Sequence, residues 1–217
     1  MSILDILQQE DKREDGRVEG VATGIVTNNK DDEGLGRIKV RYPWRENKQD
    51  SYWARPAMPA AGNNRGVFWL PEVGDEVLLA FDKGKIEHPY YLGSLWNGKD
   101  KPPAGNSDGE NNTRLVRTRG GHEFRLFDKA GQETVELKSK SGHHLLLDDS
   151  SGSAKIEIKD SSGSNRIVIE TAQNSLSIES GLSLTIKSKT INIEAGASMT
   201  LKASGTLTIQ GALVKIN

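Results

Sequence analysis

Two histidines stand side by side at His143–His144, and carboxylates cluster at Asp31–Asp32–Glu33 and pair at Asp148–Asp149. Side chains of these types could hold a metal ion or trade protons. Adjacent residues of a strand point to opposite faces, so one chain cannot aim both imidazoles at one ion. Only a ring of copies about a common axis would bring like histidines together. The carboxylates stand among turn residues, without the asymmetric cleft that sets an acid apart from a base, and read as solvated corners. No GGxGxD-type calcium repeat occurs. DSSGS (149–153) and DSSGSN (160–165) are turn sequences, not a nucleophile elbow. His88, directly before Pro89, is likewise a turn residue. Cysteine is absent, which excludes disulfides, thiolate metal sites and a cysteine nucleophile. Walker, zinc and dinucleotide fingerprints are missing too. The expectation is a chain with no catalytic residues, no metal and no cofactor.

A second candidate chemistry is nucleic-acid binding. Trp44, Tyr52, Trp53, Phe68 and Trp69 could stack bases, and Arg37, Lys39, Arg41, Arg45 and Arg55 could meet phosphates. Against it stands a charge balance of 29 Lys+Arg to 30 Asp+Glu, a weak electrostatic footprint. Barrel core and packing between copies is the favoured role for these aromatics. The alternative kept open is an OB-fold nucleic-acid-binding protein with an oligomerising β-solenoid tail.

The elements that would position these residues fall into two regimes. All seven prolines lie between Pro43 and Pro103, and after Phe127 there is no aromatic residue. Strand-like runs at 18–29, 36–44, 51–58, 66–71, 75–81 and 89–96, separated by turn signals, suit a small barrel of the OB type. An SH3-like barrel is the alternative. The Gly-, Pro- and Asn-rich stretch 97–112 reads as a linker.

Beyond it the chain repeats an apolar–x–apolar pair. The pairs are Phe124/Leu126, Val135/Leu137, Leu145/Leu147, Ile156/Ile158, Ile167/Ile169, Leu176/Ile178, Leu184/Ile186, Ile191/Ile193, Met199/Leu201, Leu207/Ile209 and Val214/Ile216. Residues i and i+2 share one face of a strand, so each pair turns two side chains inward. Corners of Gly, Ser, Thr, Asn and Lys reset the phase, which is a β-solenoid pattern. A single-chain solenoid would leave open edges and an uncapped end. Three chains around one axis close those sides. The expected trimer core takes in every pair from Ile156/Ile158 to Leu207/Ile209. Shortening intervals toward the C-terminus imply a taper. The last fifteen residues carry one charge, Lys215, so Leu213, Val214, Ile216 and Asn217 are expected to form a blunt platform for a cap.

The N-terminus lacks the basic start and long apolar run of a signal peptide, which predicts synthesis in the cytoplasm without one. Ile3, Leu4, Ile6 and Leu7 suggest a short docking segment. The expected organisation is a docking segment over 1–17, an OB-fold domain over 18–98, a linker over 99–115 and a triple-stranded β-helix needle over 116–217.

RIKVRYPW (37–44) and SYWARPAMPAAGNNRGVFWLPEVGDEVLLAFDKGKIEHPYYLGSLWNG (51–98) resemble the OB domain of contractile-tail spike proteins. That family includes phage baseplate assembly protein V, VgrG proteins and the spikes of extracellular injection systems. RTRGGHEFRLFDKAGQETVELKSKSGHHLLLDD (117–149) also resembles the start of the family's β-helix, so the likeness runs from about residue 18 nearly to the end. It implies an all-β chain: an N-terminal OB-fold barrel followed by a C-terminal intertwined triple-stranded β-helix, in a homotrimeric needle that punctures a target membrane. It further implies assembly into a phage tail or injection particle, with a separate baseplate hub at the N-terminal end and a PAAR-repeat tip protein at the C-terminal end. Neither a lysozyme insertion nor a toxin extension is recognisable, and no His follows His144 to build an iron-binding apex.

Overall fold

The computed structural model describes residues 17–46 and 49–216. It divides into two compact units, 1–105 and 106–217. The docking segment proposed for 1–17 lies outside the described residues except for Arg17, which forms a β-bridge with Lys85.

The first unit is a barrel of five main strands in the order β2-β1-β6-β7-β3. They are β1 (Val21–Asn28), β2 (Lys39–Arg41), β3 (Arg55–Pro56), β6 (Glu76–Phe81) and β7 (Pro89–Ser94). β4 (Ala61–Gly62) and β5 (Arg65–Gly66) make a separate hairpin. An antiparallel bridge between Ile38 and Ala54 joins the strand of β2 to that of β3 and so returns the sheet on itself. Register shifts at Val26/Asn28 and Leu78/Leu79 add the local twist that a curled sheet needs. Alternation along β6 turns Val77, Leu79 and Phe81 inward, where they meet Val26, Ile38, Val40, Tyr42, Ala54 and Tyr91. Gly24 leaves the space this packing needs, because a Cβ there would lie 2.9 Å from both Leu79 Cδ1 and Val40 Cγ2.

Two expectations fail in this unit. Residues 67–71 are not a strand: among the described residues their one backbone–backbone hydrogen bond is from Val67 N–H to Ala60 O, Pro71 O accepts from the Asn29 side chain, and Phe68 is 80% exposed. The apolar run signalled a strand, but no neighbouring strand takes up its backbone. Nor are the tryptophans core. Trp44, Tyr52, Phe68 and Trp69 are all exposed, and the buried aromatics are Tyr42, Phe81 and Tyr91.

The second unit opens with seven strands of five residues each. They are β8 (Thr113–Arg117), β9 (Glu123–Phe127), β10 (Thr134–Lys138), β11 (His144–Asp148), β12 (Lys155–Lys159), β13 (Arg166–Glu170) and β14 (Ser175–Glu179). They form one sheet in sequence order, and every neighbour pair is antiparallel. The corners here are hairpin reversals rather than the bends of a solenoid. β8 begins inside the stretch assigned to the linker. It escaped the pair rule because Arg114 stands where the other strands carry an apolar residue. Residues 181–216 contain no strand, and none of them joins a backbone–backbone hydrogen bond among the described residues.

Candidate assembly site

Hairpin registers bring the apolar pairs into line. Phe124 faces Leu137, which faces Leu145, and the column continues through Ile158 and Ile167 to Ile178. A parallel column runs Leu126, Val135, Leu147, Ile156, Ile169, Leu176. Both occupy the second and fourth places of their strands, hence one face. The first, third and fifth places make the other face, which is mostly polar and ion-paired but also carries Leu115, Phe127, Leu146 and Val168, the last two beside Glu157. There Arg117 meets Glu123 at 2.6 Å, and Arg166 meets Glu179 at 2.9 Å.

Burial runs opposite to chemistry. Ile156, Ile158, Ile167, Ile169, Leu176 and Ile178 are 40–63% exposed, whereas Glu157, between the first two in sequence, is 6% exposed. Lys155 and Lys159 flank the Glu157 carboxylate at 3.6 and 3.3 Å. Burial alone would raise its pKa, but the hydrogen bond from Lys159 and the charges of both lysines outweigh that and leave it lowered. A charged face thus holds itself together within one chain while the hydrophobic face has nothing against it. An open groove of about 800 Å³ runs over that face, floored by Leu137, Leu145, Ile158, Ile167, Ile178 and Leu184. An exposed apolar strip of this extent marks an interaction surface.

The remaining candidates of the expected trimer core lie in the strand-free segment. Leu184, Ile186, Ile191, Ile193, Met199, Leu201, Leu207 and Ile209 are all exposed there, as are Leu213, Val214 and Ile216 of the expected tip platform. Asn217 lies outside the described residues.

The polar candidates resolve into turn chemistry. His143 follows a reversal in which its N–H donates to Ser139 Oγ at 3.0 Å, and His122 repeats the arrangement on Thr118 Oγ1 at 3.1 Å. His144 Nε2 lies 2.7 Å from Glu136 on the polar face. No cluster of three or more His, Asp or Glu fit for a metal occurs among the described residues. His88 sits in the turn before β7, as its place before Pro89 suggested. Asp31 corrects the reading of its cluster as solvated corners. Its side chain is buried and accepts from the N–H groups of Glu33, Leu35 and Arg37 and from the Arg37 guanidinium, so one carboxylate folds the whole β1–β2 loop. The guanidinium holds that carboxyl far below the usual range.

Asp160 does the same for the turn before β13, where it accepts from the side-chain amide of Asn165 at 2.7 Å and from the Ser162 hydroxyl. These bonds lower its pKa from 3.8 to about 2. A depressed carboxylate stabilises the fold above its unfolded value, and that contribution disappears as pH falls through the folded value. The Asp160 turn is therefore expected to be intact above pH 4 and to open toward pH 2, read as a carboxyl titration near 2 by NMR. A midpoint near 3.8 would show that the turn does not form.

In the barrel, side-chain cations lie over the rings of Trp53, Trp44 and Tyr90, while Tyr52, Phe68 and Trp69 are exposed. Arg37 and Lys39 lie 5.4 and 5.0 Å from the Trp53 ring, and Arg55 lies 5.7 Å from that of Tyr90.

Comparison with known proteins places this geometry. Residues 22–96 match the type VI secretion system/phage-baseplate injector OB domain. The type VI secretion system spike protein VgrG3 of Vibrio cholerae is 31% identical over 114 residues, which are 48% of this chain and 11% of that protein. The spike protein VgrG1c of Pseudomonas aeruginosa is 30% identical over 132 residues, 54% of this chain and 18% of that protein. The actin cross-linking toxin VgrG1 of V. cholerae is 30% identical over 111 residues, 47% of this chain and 10% of the toxin. The chain thus spans between a tenth and a fifth of the length of these curated relatives. An injector barrel matched along its strands and relatives that are repeatedly spike proteins agree: residues 22–96 are an OB domain of the type VI secretion system/phage-baseplate injector family, and the chain is similar to VgrG spike proteins over about half its length.

Proposed function

We propose that this chain is the structural central spike of a contractile tail or injection system: a homotrimeric needle that is received by a baseplate hub and driven through a target envelope. The observation that carries the reading is the inverted burial of the sheet over 113–179, where isoleucines and leucines lie bare and a glutamate is covered. Three copies turning that face to one axis would enclose the apolar columns and leave the ion-paired face in water. In such a needle no strand detaches without breaking neighbours, so resistance to force comes from a high barrier to opening. The polar outer face suits transient passage through a bilayer rather than residence in it. Penetration energy comes from the contracting sheath, and the chain itself needs no catalytic group. Leu213, Val214, Ile216 and Asn217 are the proposed seat of a pointed tip protein.

The test is the solution mass of the full chain by light scattering after size exclusion. The expected value is about 71 kDa, three times 23.7 kDa. A value near one chain would overturn the trimer and bring forward the nucleic-acid-binding barrel, which salt-dependent binding of single-stranded DNA would then support.

A further inference from the structure

We infer that residues 1–16 dock on this chain's own barrel, in the groove between the β1–β2 loop and the β4–β5 hairpin. The segment lies outside the described residues, but both the groove and the place where the chain enters the barrel are described. The inference goes beyond the spike reading and holds whether one chain or three assemble.

The groove encloses about 1030 Å³. Leu35, Trp53, Pro56, Met58, Phe68 and Leu70 give it an apolar floor. Leu35 is 61% exposed, and the Phe68 ring lies against Gly36, where a Cβ would be 3.7 Å from Cε2. Apolar side chains left bare side by side mark a surface that something covers. The backbone of residues 68–70 joins no hydrogen bond among the described residues, so an extended occupant finds free donors and acceptors along one wall. Guanidiniums stand around this floor. Asp31 and Glu33 already neutralise Arg37. Arg55 and Arg65 also line the groove, and neither forms an ion pair among the described residues. The occupant that fits is apolar, with carboxylates beside the apolar part.

Residues 1–16 have that composition. Ile3, Leu4, Ile6 and Leu7 are apolar, and Asp5, Glu10, Asp11, Glu14 and Asp15 outnumber Lys12 and Arg13. The segment also starts from the right place. Arg17 bridges Lys85, and Val18 N–H donates to Gly84 O at 2.8 Å, so the chain enters the barrel on the β6–β7 loop. That loop gives Asp82, Glu87 and His88 to a smaller cleft of about 230 Å³, whose other wall is Trp53 and Arg55. Both of those residues line the groove as well. Residues 8–16 reach about 30 Å when extended, the diameter of a small domain. Counting back from Arg17, Glu14 and Asp15 would come at Lys83 and Lys85, Lys12 and Arg13 at Asp82 and Glu87, and Glu10 and Asp11 at Arg55 and Arg65. The four apolar residues would then lie on the floor. A segment tethered in this way acts at a millimolar effective concentration, so modest contacts hold it, an advantage that a free partner lacks.

Cysteine is absent from the chain, so two introduced thiols are the only ones. The test bridges Ser2→Cys and Ala61→Cys, the second in the groove, with a short bismaleimide on the full chain, and denaturing mass spectrometry reads the products. In the control, Lys101→Cys, exposed and outside the groove, replaces Ala61→Cys. The internally bridged single chain is expected to be at least fivefold more abundant with Ala61→Cys than with Lys101→Cys. The combined changes Ile3→Ser, Leu4→Ser, Ile6→Ser and Leu7→Ser should remove that excess, and Arg65→Glu should cut it at least twofold. None of these positions belongs to the barrel core, so amide protection over 21–94 should stay as in the wild type. Equal bridging at 61 and 101, or an excess that survives the four serines, overturns the inference. An excess indifferent to Arg65→Glu removes the charge match that selects this occupant and overturns it too. Two chains bridged to each other in place of one would put the segment on a neighbour's barrel, against the inference.

Discussion

Ile158→Asp is expected to abolish the three-chain species, shifting the solution mass from about 71 kDa to about 24 kDa or into aggregate. Ile158 stands between Leu145 and Ile167 in one apolar column and is 47% exposed in the single chain, so the substitution costs that chain little on its own. In the assembly the loss is counted three times. Each Ile gives up about half of the 1.5–3 kcal/mol of a full burial, because only its exposed half is left for other copies to cover. Three carboxylates would also meet near one axis, where an unpaired buried charge either takes up a proton or drives the chains apart. Gln173→Asp provides the control, because Gln173 is exposed in the reversal before β14 and adds the same charge away from the apolar face. If Ile158→Asp assembles like the wild type, the exposed face is not the interface and the needle reading fails.

That face was legible in the sequence because its rule is short-range. An apolar–x–apolar pair fixes which side chains share a face whatever the strand pairs with, and β9–β14 obey it at every pair. Strand partnership was not legible from the pairs, because it is decided in the corners. Spacing alone reads equally as solenoid bend or hairpin reversal. The signal lay in the glycines at 121, 131, 142, 152 and 163, which recur with the strands and stop serving as left-handed turns afterwards. In the barrel, alternation over 76–81 identified Val77, Leu79 and Phe81 as inward, and the same logic failed at 67–71, where hydrophobicity has no partner strand to give it a face. Asp31 was missed for a related reason. A run of three carboxylates looks like solvated surface, and only the loop's return to Arg37 shows one of them turned in to organise it.

Leu79→Ala should strike the barrel and spare the sheet of the second unit. Leu79 is fully buried on β6, the strand between β1 and β7, and its Cδ1 fills the space that Gly24 leaves open. Truncating such a side chain costs about 2–5 kcal/mol, because the lost burial is joined by a cavity that the closed sheet cannot collapse. Against the 5–15 kcal/mol typical of a small domain, that is a large share. Amide protection over 21–94 is therefore expected to fall by about 30-fold or more, with protection over 113–179 unchanged. The asymmetry follows from where each unit finds its apolar contacts: the barrel encloses its own core, while the sheet of 113–179 leaves its apolar face exposed. Equal loss of protection in both units would show that they unfold as one cooperative body. Loss confined to the barrel would mean that its tolerance to mutation is set within a single chain, while that of the needle is set by the assembly.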